Sequence, residues 1–226
     1  MAPQNIVVTG FGPFGEHKVN ASWEAVSLLP EKLENFHLVK EQIPVVYKHV
    51  ESKIPELWNK YNPKLIVHVG VSSYTSVVQL ESCAHKSGYE RRDIENCCPK
   101  NGAPCCAGDE CIKTGIDVNK ICERINKLGQ FRACRSDDPG RYLCEFIYYT
   151  SLNIDRNRSL FIHVPPLNKP YTSQQLAEVL AEVIKYALIQ LEEIDTAKKT
   201  EIINIYKNGR AAEAFCSFYH DNEVHD

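Results

Sequence analysis

No apolar run in the 226 residues approaches the roughly 18 that a membrane-crossing helix requires, so a helical membrane protein is excluded. Charge of one sign is not in excess either: 26 basic residues face 29 acidic ones, for a formal net charge of -3. With no basic stripe to meet a phosphate backbone, nucleic acid is not an expected partner. Residues 1–10 lead directly into an apolar stretch and lack the basic start, long apolar core and small-residue cleavage site of a secretory signal. The expected location is the cytoplasm, away from membranes.

Cysteine, by contrast, is abundant. Ten occur, and five of them crowd into residues 97–111. In a secreted chain that number would imply a disulfide framework; in a cytoplasmic one all ten are expected to be reduced. Cys97-Cys98 and Cys105-Cys106 are adjacent pairs, poor tetrahedral chelators, and no two C-x2-C units give a structural zinc spacing. No metal and no cofactor are therefore expected. The Gly, Pro, Asn and Asp residues around these cysteines point to a surface loop at about 84–116 carrying oxidisable thiols.

Four short segments rich in branched apolar residues, 6–8, 65–69, 131–134 and 160–164, each run into turn-forming or polar residues. They read as strands buried on both faces. Helical patterns lie between them at 22–29, 45–60, 117–128 and 141–153, with Asp117 as an N-cap and Gly129 as a stop. From Thr172 onward, Leu176, Val179, Leu180, Val183, Ile184, Ala187 and Leu191 repeat at helical spacing, and Thr172 with Gln175 fits a capping box. Strands alternating with helices imply an α/β fold, a three-layer α/β/α sandwich on a twisted, mostly parallel sheet, with ligands at the carboxyl ends of the strands. Residues 1–195 are read as one domain. The polar stretch 196–226 is expected to be a poorly packed tail, with one short helix or strand at 202–206.

Reactive chemistry centres on Cys144. The sequence Asp138-Pro139-Gly140-Arg141-Tyr142-Leu143-Cys144 is a breaker-rich turn running into a helix, which places the sulfur in the first turn. Helix N-terminal amides favour the thiolate there. A thiol nucleophile needs a base for its proton and an acid for the departing amine, and His163, near the end of the fourth strand, suits both roles. His68 holds the equivalent place on the second strand but should lie deeper in the sheet. Glu81, an acid ending the stretch Val77-Val78-Gln79-Leu80, is the candidate to hold the imidazole in one tautomer. The loop Gly10-Phe11-Gly12-Pro13-Phe14-Gly15 puts Pro and two Phe residues where a phosphate cradle needs bare backbone. It is better suited to an apolar slot for a small flat ring.

Several separated blocks carry a resemblance to a known family. They are Val8-Thr9-Gly10-Phe11-Gly12-Pro13-Phe14-Gly15, Val67-His68-Val69-Gly70-Val71-Ser72, Leu80-Glu81-Ser82-Cys83, Gly140-Arg141-Tyr142-Leu143-Cys144-Glu145-Phe146 and Phe161-Ile162-His163-Val164-Pro165-Pro166-Leu167. Across about residues 5–190 the chain resembles the pyroglutamyl-peptidase I family, also called pyrrolidone-carboxylate peptidases, and its animal members above all. The resemblance implies a cysteine peptidase that hydrolyses the bond after an N-terminal pyroglutamyl residue, without a cofactor; a monomer is expected over a stable oligomer. It implies catalytic roles for Glu81, Cys144 and His163, preferring His163 to His68. It also implies a substrate pocket of Phe11, Phe14, Asn20, Tyr142 and Leu143, with Val71 standing where bacterial members carry Gln. Two rival readings are a lactam-binding protein without turnover and a metal or redox module built on residues 97–111.

Overall fold

A computed structural model of the chain describes residues 4–15 and 18–220, with side chains as far as Thr200 apart from Lys198. In chain order the elements begin with β1 (Gln4–Phe11), α1 (Ala21–Ser27), β2 (Lys32–Leu33), β3 (Phe36–Ile43), α2 (Tyr47–Tyr61) and β4 (Leu65–Val71). Next come β5 (Val78–Glu81), β6 (Cys83–His85), β7 (Cys111–Lys113) and α3 (Val118–Lys127). The last are β8 (Ala133–Ser136), α4 (Leu143–Asp155), β9 (Ser159–Val164) and α5 (Ser173–His220). The chain divides into two compact units, Met1–Leu188 and Ile189–Asp226. The sheet lies wholly in the first.

Seven strands form that sheet in the order β2-β3-β1-β4-β9-β5-β8, and β6 pairs with β7 in a separate ribbon. β3, β1, β4 and β9 are mutually parallel. Ile6, Val7, Val8, Ile66, Val67, Leu160 and Ile162 are fully buried, as expected of central strands covered on both faces. On one face Val7, Ile66 and Phe161 join a core with residues of α2 and α4. On the other, the end of β1 runs against α1 so closely that a Cβ on Gly10 would lie 2.9 Å from the Trp23 backbone. These layers make the expected sandwich.

Two strands depart from the simple alternation. β5 is antiparallel to β9 and parallel to β8, so the strand expected at 131–134 runs against β3, β1, β4 and β9, and its carboxyl end points away from theirs. β3 was also not among the four expected strands. Its sequence, FHLVKEQI, mixes apolar and charged residues, with Phe36, Leu38 and Ile43 buried and the rest partly or wholly exposed.

The helix signals were informative. Asp117 caps α3 by accepting from the Lys120 N–H at 3.1 Å, and Gly129 sits just past its end at φ +77. The capping box at α5 is formed, Gln175 N–H donating to Thr172 Oγ1 at 3.2 Å and Thr172 N–H to Gln175 Oε1 at 3.0 Å. The short helix or strand expected at 202–206 is corrected: α5 is helical through that segment as far as His220. No proline interrupts those residues and Gly209 is the only glycine, so helix-forming residues prevail. The packing of residues 201–226 lies outside the described side chains. The loop at 84–116 is corrected in part. It is closed at its base by the β6–β7 ribbon, and Tyr89 within it is fully buried, edge-on to Phe146 with ring centroids 5.2 Å apart.

Replacing Thr172 by Ala removes one half of the capping box and is expected to destabilise the fold by about 1 kcal/mol, measured as a lower urea midpoint with an unchanged m-value.

Candidate active site

The carboxyl ends of β4 and β9 lie side by side, with Gly70 paired to His163. On the other side of β9, the antiparallel register sets Gln79 opposite His163 and Glu81 opposite Phe161. Residues two apart on a strand share a face, so Glu81 is a diagonal neighbour of His163. Its Oε1 lies 2.7 Å from His163 Nδ1, and both side chains are buried. Tyr148 donates from its hydroxyl to the Glu81 carbonyl at 2.9 Å, fixing this end of β5. The second carboxylate oxygen of Glu81 is buried without a hydrogen-bond partner among the described residues.

Cys144 meets the imidazole from α4. Because β8 ends away from the β9 edge, the turn through residues 137–142 carries the chain back. Gly140 at φ +91 and Arg141 at φ +38 make the sharp bend. The turn is fastened by Glu145, which is fully buried and accepts from the Arg141 backbone N–H at 2.7 Å and from its guanidinium at 2.7 and 2.9 Å. No side chain caps α4 at Tyr142, so the first-turn amides beside Cys144 are not claimed by a capping group. A glycine at position 70 is required: a Cβ there would lie 2.8 Å from Cys144 Sγ and 2.8 Å from Phe161 Cζ.

The two buried histidines are tuned in opposite directions. Burial acts to lower the pKa of His163, but the facing Cys144 sulfur, by charge and by hydrogen bonding, and then Glu81 outweigh it and hold the ring at about 10. His68 has no carboxylate partner. Its nitrogens lie 2.7 Å from Thr9 Oγ1 and 2.7 Å from Ser151 Oγ, and desolvation lowers its pKa to about 3. It is a satisfied core histidine, as its depth in the strand suggested.

Beside the thiol is a small, partly open cavity lined by Phe11, Phe14, Asn20, Val45, Val71, Tyr142, Leu143 and Cys144. All five expected pocket residues are brought together here. Asn20 lines the cavity while holding its rim: its Nδ2 donates to the Gly12 carbonyl at 2.9 Å, and its Oδ1 accepts from the Ser22 N–H and hydroxyl. The glycines at 10, 12 and 15 do fall at dinucleotide-fingerprint spacing, but α1 starts only at Ala21, so no helix N-terminus opens behind them. Tyr142 is held from outside by the Arg91 guanidinium, 4.3 Å from its ring centroid, and by the edge of Tyr47.

The sequence profile of the pyroglutamyl peptidase family matches residues 4–191. The chain belongs to the pyroglutamyl peptidase family. It is 48% identical to the pyroglutamyl-peptidase 1 of Rattus norvegicus over 198 residues, 84% of this chain and 92% of the relative. Identity is also 48% to that of Homo sapiens, over 83% of this chain and 91% of the relative. The crystal structure of Bacillus amyloliquefaciens pyroglutamyl peptidase I superposes with a TM-score of 0.71 at 26% identity, covering 80% of this chain and 94% of that one. Within this family member, the sequence alone did not single out Val45, Arg91 or Glu145. Val45 sits ahead of α2 in an unremarkable apolar run. Glu145 did carry a signal, an acid directly after the candidate nucleophile in a first helical turn.

A pH titration of the histidine ring signals by NMR is expected to show His163 keeping its proton through neutral pH and losing it as pH rises through about 10. His68 stays neutral until pH falls to about 3. In Cys144→Ser the His163 transition moves to lower pH, because the sulfur's charge is gone.

Proposed function

We propose that this protein removes an N-terminal pyroglutamyl residue from peptides, with Cys144 as nucleophile, His163 as proton carrier and Glu81 as the group that orients the imidazole. One observation carries the reading: a thiol, an imidazole and a buried carboxylate stand in sequence beside a small apolar cavity. The Cys144 thiolate attacks the carbonyl carbon of the pyroglutamyl residue, forming a C–S bond and a tetrahedral oxyanion. In this reading the Leu143 and Cys144 amides at the start of α4 stabilise that charge. As the C–N bond breaks, the departing amine takes a proton from the His163 imidazolium, which leaves a thioester. His163, now neutral, accepts a proton from water as it attacks the thioester, and the thiolate departs with free pyroglutamate as product. The raised pKa of His163 supports this order, since the acid form is present at neutral pH.

Selectivity follows from the cavity. Phe11, Phe14 and Tyr142 offer aromatic surfaces to a flat lactam, and Val45, Val71 and Leu143 complete an apolar lining. One N–H of the Asn20 amide is committed to Gly12, and the other is the donor for the lactam carbonyl. A free α-amino terminus would enter charged and lose its hydration without a counter-charge. The complete set of nucleophile, base and carboxylate favours turnover over a lactam-binding protein without chemistry. We read residues 1–195 as the catalytic domain of a monomer acting on pyroglutamyl-initiated peptides in the cytoplasm. All described cysteines are free. Among the described residues no helix is long and apolar enough to cross a membrane.

With a pyroglutamyl-linked fluorogenic amide, Cys144→Ala is expected to release no fluorophore while still binding the substrate. Gly70→Ala should fold but lose about 10²-fold in kcat, because a displacement near 1 Å at the attacking atom costs that much. Full activity of Cys144→Ala would exclude the mechanism.

A further inference from the structure

A second cluster of reactive side chains lies outside the cavity, on the β6–β7 ribbon. The ligand-capable atoms of Cys83, His85 and Cys111 all lie within 4.8 Å of one another. Register explains the grouping. His85 is directly opposite Cys111 and Cys83 opposite Lys113, so Cys83 and Cys111 are diagonal neighbours and all three side chains share one face. The spacing of cysteines along the sequence hides this, because the ligands come from two strands separated by the whole 84–116 loop. Of the five clustered cysteines, only Cys111 takes part among the described residues.

His85 is held as a metal-binding histidine is held. Its Nδ1 lies 2.8 Å from Glu145 Oε1, and its backbone N–H donates to the same oxygen at 2.8 Å. This leaves Nε2 as the free donor, with the ring fixed by a carboxylate from outside, the arrangement that orients histidine ligands in zinc proteins. Two sulfurs and one imidazole form a donor set that favours zinc over magnesium or calcium. Zinc–sulfur bonds of about 2.3 Å and zinc–nitrogen bonds of about 2.0–2.1 Å hold tetrahedral ligands roughly 3.5 Å apart. The cluster therefore closes by at most about 1.3 Å on the ion, and Cys111, exposed on the ribbon, is the ligand placed to make that movement. Cys83 is buried, its Sγ donating to the Asp137 carbonyl at 3.3 Å.

We propose that the β6–β7 ribbon binds one zinc(II) ion through Cys83, Cys111 and His85 Nε2, with Glu145 as the outer carboxylate and water in the fourth position. Binding replaces two S–H bonds by two zinc–sulfur bonds and releases two protons to solvent. The ion pins the base of the cysteine-rich loop. Because Glu145 also accepts from Arg141, the pinned histidine is joined to the turn that carries Cys144.

The test uses the full chain carrying Cys144→Ser, so that the nucleophile cannot itself hold zinc. After equilibration with zinc under reducing conditions and gel filtration, elemental analysis is expected to find one zinc per chain. Cobalt(II) in its place should give thiolate charge-transfer absorption and the visible bands of a tetrahedral ion. Adding Cys111→Ser, at an exposed position, abolishes both signals with the circular dichroism unchanged. Glu145→Gln weakens binding about 10–100-fold. Replacing Cys97, Cys98, Cys105 and Cys106 together by Ser leaves the stoichiometry at one. Absence of stoichiometric zinc, zinc that survives Cys111→Ser, or a Cys83–Cys111 disulfide that excludes the ion would each overturn the proposal. The cobalt spectrum of the protein with the ribbon intact decides the matter independently if Cys111→Ser does not fold.

Discussion

Glu81 and His163 are buried together 2.7 Å apart, and most of the site follows from what that contact demands. A charged pair removed from water is costly unless its geometry is good and further hydrogen bonds support it. Here the sheet provides the geometry. β5 must run antiparallel to β9 so that Glu81 falls diagonally across from His163 on the face turned toward α4. The imidazole is then a bridge: Glu81 engages one nitrogen, and the other side of the ring faces Cys144. The same α4 that brings the sulfur also supplies Tyr148, which binds the Glu81 carbonyl. One helix thus positions both ends of the chain of groups.

Two acids flank this arrangement with different tasks. Glu81 faces the imidazole from the sheet, whereas Glu145 faces away from it and gathers Arg141 and His85. Without Glu145 the left-handed Arg141 at this bend would lose the acceptor of its backbone N–H and keep only the exposed ion pair with Asp138. The constraint at Gly70 belongs to the same design. A bare backbone at the end of β4 makes room for a sulfur that any larger residue would displace. The pocket is assembled from loop aromatics that Asn20 ties to the start of α1 and from Tyr142 and Leu143 just ahead of Cys144, so the two supports meet at the sheet edge.

Much of this was legible because local chemistry expressed it. Breakers before Cys144, the helical repeat after Thr172 and the branched apolar runs of β1, β4 and β9 each reflect a short-range rule, and the structure follows them. The choice of His163 over His68 was also legible, since a residue ahead of Val69-Gly70 must lie deeper in the strand. What the residues did not express was long-range pairing. Four residues of β5 carry no mark of the direction in which they run, so the diagonal contact of Glu81 with His163 is not deducible from spacing. The meeting of Cys83, His85 and Cys111 across a long loop is hidden for the same reason. Tyr89 looked like part of a solvent loop because its neighbours are polar; its burial comes from Tyr47 and Phe146, distant in the chain.

The chemistry turns most directly on the identity of the atom that carries the acyl group. Rapid acid quenching of the enzyme during turnover of a pyroglutamyl ester, followed by peptide mapping by mass spectrometry, reads that atom. The expected result is one pyroglutamyl acyl group on the peptide containing Cys144, labile to hydroxylamine as a thioester is, and accumulating when Glu81→Gln slows its hydrolysis. An acyl group on any other residue, or unimpaired turnover in protein whose Cys144 is fully alkylated, would contradict it.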